Sequence, residues 1–283
     1  MNVVLPEKEK IKKRTLIIYS VAAIACILAI VVIVGISILG NDTINGIFQI
    51  NKIINKTEQE EANLKANFTN LFDNKITYTS EINIIKEDEN KDLIYTNYEK
   101  NEKTDNYEIN VVLPYINIQS SKIKSWNNEI KNTFEEKAKQ ILKSNNETKT
   151  IYSTKYTASI ENNILSIMIY ADLKENTASQ RILIQTYNFN LETKKELNLQ
   201  DTLEIYNLDE KQIQNKINSD IKKENQKSQE LKDLGYNVFT RDIEDTKYKI
   251  ENTTEFFIKN KNLYIIYAYG NEQGTSEYDI IVI

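Results

Sequence analysis

Residues 15–40 read TLIIYSVAAIACILAIVVIVGISILG, twenty-six positions without a charged side chain. A helix crossing a bilayer needs about 20 apolar residues, so this run is long enough to span with some tilt. Lys12, Lys13 and Arg14 stand directly before it, and Asn41 and Asp42 directly after. Basic residues stay on the cytoplasmic side. The run therefore predicts a single-pass cell-membrane protein with a cytoplasmic basic tail, residues 1–14, and everything from 41 onward extracytoplasmic. Ala23 and Ala25, with Cys26 beside them, admit two rival readings, signal cleavage and lipid attachment. Either would leave residues 27–39, almost wholly apolar, at the start of a soluble domain, so a retained anchor is preferred.

The chain beyond the run is acidic. The whole protein carries −5 and the tail +3, which leaves −8 outside the membrane. That balance disfavours nucleic acid and suits a cationic protein partner. Histidine is absent, and the single cysteine lies in the apolar run. The outer part thus lacks the commonest metal ligand, the commonest general base and any thiol. The acids Asp242, Glu244 and Asp245 lack the glycine and ligand spacing of a calcium loop. Asp172, Asp201, Glu204, Glu277 and Asp279 offer carboxylates that no spacing pairs, and Ser166 and Ser179 have no adjacent base. The sequence predicts no enzyme, no metal and no cofactor.

Ile47, Ile50, Ile54, Leu64, Phe68 and Leu71 recur at helical intervals around a polar centre at Thr57 and Glu61. Residues 41–75 therefore read as a juxtamembrane helical stalk, or equally as a helix packed on its own domain or lying near the membrane. From Ile76 the period falls to two, and strands are expected at 76–84, 93–98 and 107–118, with Pro114 marking an edge or a bulge. Ile123, Trp126, Ile130, Phe134, Ala138 and Ile141 trace a helix. Further strands are expected at 150–160, 164–173 and 181–191, the first two joined through Asn162 and Asn163, residues that accept a tight turn. A second helix begins at Asp209, with Gln212 at capping-box spacing and Ile213, Ile217 and Ile221 as its stripe. Strands at 254–258, 262–269 and 277–283 close the chain. The order predicts an α+β fold of antiparallel sheets with two packed helices over residues 76–283, with a subdivision allowed near 145–150.

Three stretches together resemble the RsiV/PdaC-type extracytoplasmic domain family. They are YEINVVLPYI (107–116) with IKNTF (130–134), ILSI (164–167) with YNFNLETKKELNLQDTL (187–203), and FFIKNKNLYIIYAYG (256–270). The resemblance covers roughly residues 76–283. It implies a two-part α+β ectodomain on one membrane helix. In RsiV-like anti-sigma factors such a domain binds lysozyme and triggers proteolysis near the membrane; in PdaC-like proteins it accompanies a peptidoglycan deacetylase. Fourteen residues before the membrane are short for a sigma-binding segment, and no deacetylase sequence follows Ile283. Lys194 stands where the family's turn glycine is usual.

Tyrosine occurs seventeen times. It combines flat apolar area with a hydroxyl, which suits recognition, though it is also a good strand former. The segment after Tyr269 mixes small and polar residues between two strands. Tyr267, Tyr269, Asn271, Glu272 and Glu277 are the expected ligand contacts. The reading is a membrane-anchored extracytoplasmic binding or sensing module, for a lysozyme-like muramidase or for peptidoglycan. The alternative is an accessory envelope protein supporting a membrane partner without sensing a ligand.

Overall fold

A computed structural model describes residues 56–72, 76–78, 84–144, 149–270 and 276–283. All belong to one compact unit, Ile53–Ile283. The basic tail, the apolar run 15–40 and the first part of the stalk lie outside the described residues. Among the described residues no helix is long and apolar enough to cross a membrane.

The fold is α+β. Its strands among the described residues are β1 (Ile76–Tyr78), β2 (Ile94–Lys103), β3 (Tyr107–Ile116), β4 (Thr150–Glu161), β5 (Ile164–Glu175), β6 (Arg181–Asn190), β7 (Lys195–Glu196), β8 (Glu255–Lys259), β9 (Asn262–Tyr269) and β10 (Glu277–Val282). Strands β2 to β7 form one sheet in sequence order, with β1 also paired to β4, and β8–β10 form a second sheet. Helix α1 is Glu58–Ala66. Helices α2 (Ser121–Ile130) and α3 (Glu136–Lys143) are joined by a π-turn, Lys131–Glu135. Helix α4 is Leu199–Ile205 and α5 is Glu210–Asp233.

Alternation along β4–β6 divides the large sheet into two faces. Ile167, Ile169, Tyr187 and Phe189 join Ile123, Trp126, Ile130 and Phe134 in a core under α2 and α3. Met168 and Ile184, one residue out of step, join Phe68, Phe257, Tyr264 and Val282 in a core under the small sheet. Asn162 and Asn163 take the left-handed backbone, φ 51° and 60°, that a two-residue hairpin requires, as do Asn260 and Lys261, φ 54° and 62°.

The small sheet meets the large one edge-on. Phe256 and Ile258, the residues of β8 that turn their backbone amides away from β9, donate to Thr186 Oγ1 at 3.2 Å and Ser166 Oγ at 3.0 Å. Phe256 O accepts from Asn188 at 2.8 Å, and Asn260 N donates to Glu161. A row of side chains thus occupies the place of a missing neighbour strand. It explains why Glu161, Ser166 and Asn188 are buried in the sheet face.

Several expectations change. The large sheet is mixed, because β3 and β1 both run parallel to β4. The helical run α2–α3 lies between β3 and β4, and such a connection returns the chain in the same direction. Strands β3 and β4, which flank residues 145–150, are neighbours in one sheet. Among the described residues of 76–283, four α-helices stand where two were expected: the π-turn divides the first into α2 and α3, and the short α4 precedes the second. The described part of the stalk is a nine-residue helix, capped by Thr57 and Glu60, that ends at Ala66. Phe68 then plugs the core at 1% exposure, and Lys65–Asp220 (3.0 Å) and Lys216–Glu61 (2.7 Å) tie α1 to α5. This segment packs on its own domain. In the family-like segment, Leu197 and Leu199 are buried, and Asp201 forms a capping box with Asn198 at the start of α4.

Candidate functional site

The expected tyrosines face inward. Tyr267 is 6% exposed, with its hydroxyl 3.0 Å from Thr253 Oγ1, and burial pushes it up to about 12. Tyr269 is 3% exposed and stacks on Phe239 at 4.5 Å between ring centroids. Tyr248 donates to Tyr269 at 3.0 Å, and Tyr269 donates to Asp279 at 2.7 Å. Asp279 also accepts from Arg241 Nε at 2.9 Å and Nη2 at 2.8 Å, and Arg241 reaches Ser228 and Phe239 O. Burial first, then the charge of Asp279, drives the Tyr269 hydroxyl far above its ordinary value. Glu277 is half-buried, accepting from Phe239 N at 2.7 Å and standing 3.2 Å from Arg241. These residues form a clamp that holds the segment after α5 against β10, so Tyr267 and Tyr269 are corrected from ligand contacts to interior groups. Asn271 and Glu272 lie outside the described residues.

The carboxylates singled out in the sequence are engaged locally. Asp172 accepts from Gln180, Asp242 from Glu244 N at 3.1 Å, and Asp245 from Lys247 N at 3.0 Å.

A cleft of about 400 Å³ opens at the π-turn instead. The intervals Trp126, Ile130, Phe134 and Ala138 are three successive fours, and all four residues are buried. On a straight α-helix each interval of four rotates the stripe by about 40°. The wider π-turn absorbs that drift and keeps Phe134 and Ala138 on the sheet. Beside it the helix leaves part of β5 and β6 uncovered. Ala171 supplies no bulk to the floor, and Leu183 is 45% exposed. Tyr152 closes one wall and donates to Phe134 O at 3.3 Å; burial raises its hydroxyl well above the usual tyrosine range. Asn132, Thr133, Lys137 and Gln140 line the helix side, and Arg181 stands on the sheet side. Glu175 bridges the mouth, 3.2 Å from Lys137 Nζ on one oxygen and bonded to Arg181 on the other. A narrower cleft of about 280 Å³ lies near Asn97, Tyr98, Tyr115, Asn128 and Lys131. Sequence reasoning named none of these residues as a ligand contact, and Phe134 entered it as part of a helical stripe. The run of fours was the one signal that could have pointed to the π-turn.

No family model matches the chain, and no curated protein matches it. Among solved structures, the chain is similar to a DUF3298 family protein from Pseudomonas aeruginosa PAO1. The likeness covers 65% of this chain and 85% of that one, at 10% identity and a TM-score of 0.35.

Proposed function

We propose that this protein is a membrane-anchored extracytoplasmic binding or sensing module whose ligand is a lysozyme-like muramidase or a cell-wall component. The observation that carries the reading is the open cleft at the π-turn. It pairs an apolar floor with a rim of cations and amides, groups that hold a ligand. The engagement of Asp201, Glu277 and Asp279 in caps and in the Arg241 clamp supports binding over chemistry. The uncharged run after a basic tail supports the anchor.

Leu231, Leu234 and Tyr236, all exposed at the end of α5, favour the second reading, an accessory envelope protein that docks on a partner. The full chain, immobilised in detergent, should retain lysozyme or peptidoglycan. Retention of neither, together with co-purification of a membrane partner lost on Leu234→Ser, would favour the accessory role.

A further inference from the structure

We propose that the cleft beside the π-turn binds a small amphipathic carboxylate, with its anionic head between Lys137 and Arg181 and its apolar body over Ala171, Leu173 and Leu183. This rests on the binding-module reading and gives that site a ligand class.

The charge at the mouth is unbalanced. Lys137 and Arg181 share one carboxylate, that of Glu175, and each occupies one of its oxygens. An ammonium has three N–H donors and a guanidinium five, so both retain donors after that contact. Neither makes another ion pair among the described residues. A local charge of +1 results, in an outer region that sums to −8. A carboxylate matches the guanidinium fork and neutralises that single charge, whereas a phosphate dianion would bring one charge too many.

The floor selects the rest of the molecule. Ala171 sits between Thr154 and Leu183 across the sheet and adds only a methyl to the floor. Leu183 remains 45% exposed on the face that elsewhere carries the helix core, so an apolar group resting there removes surface from water. Gln140 supplies an amide at the helix rim for an acyl-amino or hydroxyl group. The volume suits one sugar ring or a dipeptide. Wall material offers such a carboxylate on a lactyl-bearing amino sugar and at the end of a peptide stem.

The test titrates the full chain in detergent with N-acetylmuramic acid and N-acetyl-alanyl-alanine. Each is compared with its neutral counterpart, N-acetylglucosamine or the dipeptide amide. At least one acid should bind about tenfold more tightly than its counterpart, and which one does so identifies the source. Arg181→Gln should weaken binding about tenfold, and Arg181→Lys less, because it keeps the charge and loses the fork. Ala171→Leu should block the floor. Glu175→Gln should tighten binding by removing the competing carboxylate, a gain that misfolding cannot imitate. Equal affinity for acids and neutral counterparts, or no gain with Glu175→Gln, overturns the proposal. If wild type and the Arg181→Gln, Ala171→Leu double variant retain lysozyme or peptidoglycan equally, the cleft is wrong and the binding module stands. If wild type retains neither, both fail.

Discussion

Asp279 receives three donors at 2.7–2.9 Å, two from Arg241 and one from Tyr269, in a setting where Arg241 and Asp279 are each 6% exposed at the side chain. Removing one member of a buried pair leaves the other charge uncompensated, at a cost of about 3–5 kcal/mol. Arg241→Met should therefore lower stability to chemical denaturation by that amount. Tyr269→Phe should cost about 2–4 kcal/mol, since it removes two hydrogen bonds, the one to Asp279 and the one from Tyr248, and keeps the ring stacked on Phe239. If Tyr269→Phe changed ligand binding while leaving the denaturation midpoint untouched, the interior role assigned to this side chain would fail. At Lys194 the backbone is left-handed, φ 57°, in the turn between β6 and β7. A side chain there costs about 1–2 kcal/mol, partly offset by the greater freedom that glycine has in the unfolded chain. Lys194→Gly should stabilise by up to about 1 kcal/mol, read as a rise in Tm; a fall would mean that the Lys194 side chain itself supports the fold.

Among the elements, β8 depends on side chains of the large sheet for its outer backbone bonds, and its first residue completes the arrangement from the other direction. Glu255 accepts from Thr186 N at 2.6 Å and Thr186 Oγ1 at 2.9 Å. Burial nonetheless raises its carboxyl above the ordinary value, with the Thr186 bonds opposing. A carboxyl raised in the folded state holds its proton more tightly folded than unfolded. Its contribution to stability therefore falls as pH rises from the unfolded value through the folded one. Glu255→Gln keeps an acceptor for Thr186 and removes the charge. Its Tm should exceed that of wild type at about pH 8, and the gap should close near about pH 4, where the wild-type carboxyl is protonated. An equal gap at both values would refute the buried charge as its cause. The two-residue turn at 162–163 was legible because asparagine tolerates positive φ. The partner of β8's free edge was not, since Thr186, Ser166 and Glu161 come from three different strands and lie 70, 92 and 99 positions from the amides they receive.

For the whole molecule, the proposed topology rests on Lys12, Lys13 and Arg14 before an uncharged run. A reporter fused after Ile283 should be active only when it is a kind that works outside the membrane, and the intact N-terminus should be found upstream of Thr15 by mass spectrometry. Activity of a cytoplasmic reporter, or a mature chain starting at Cys26, would overturn the anchor. The domain's described residues bury their apolar side chains on both faces of one sheet, and that burial stabilises a fold whose sequence after residue 40 holds no cysteine.

The amino-acid order alone determined the local elements. The alternation of 164–173 and 262–269, the helical stripe from Ile123 to Ile141 and the stripe at Ile213, Ile217 and Ile221 each record which side of an element avoids water, a property that neighbours in sequence share. Tertiary structure decided the partners. Alternation marks an apolar face without naming the strand beside it, so the parallel pairing of β3 with β4 waited on the helix between them. Tyrosine suits water and interior alike, and Tyr269 went inside because Asp279 and Tyr248 met its hydroxyl there and Arg241 covered its ring. The cleft is space left where the helix near Phe134 parts from Leu183, residues about fifty positions apart, and no local pattern encodes a gap between distant segments.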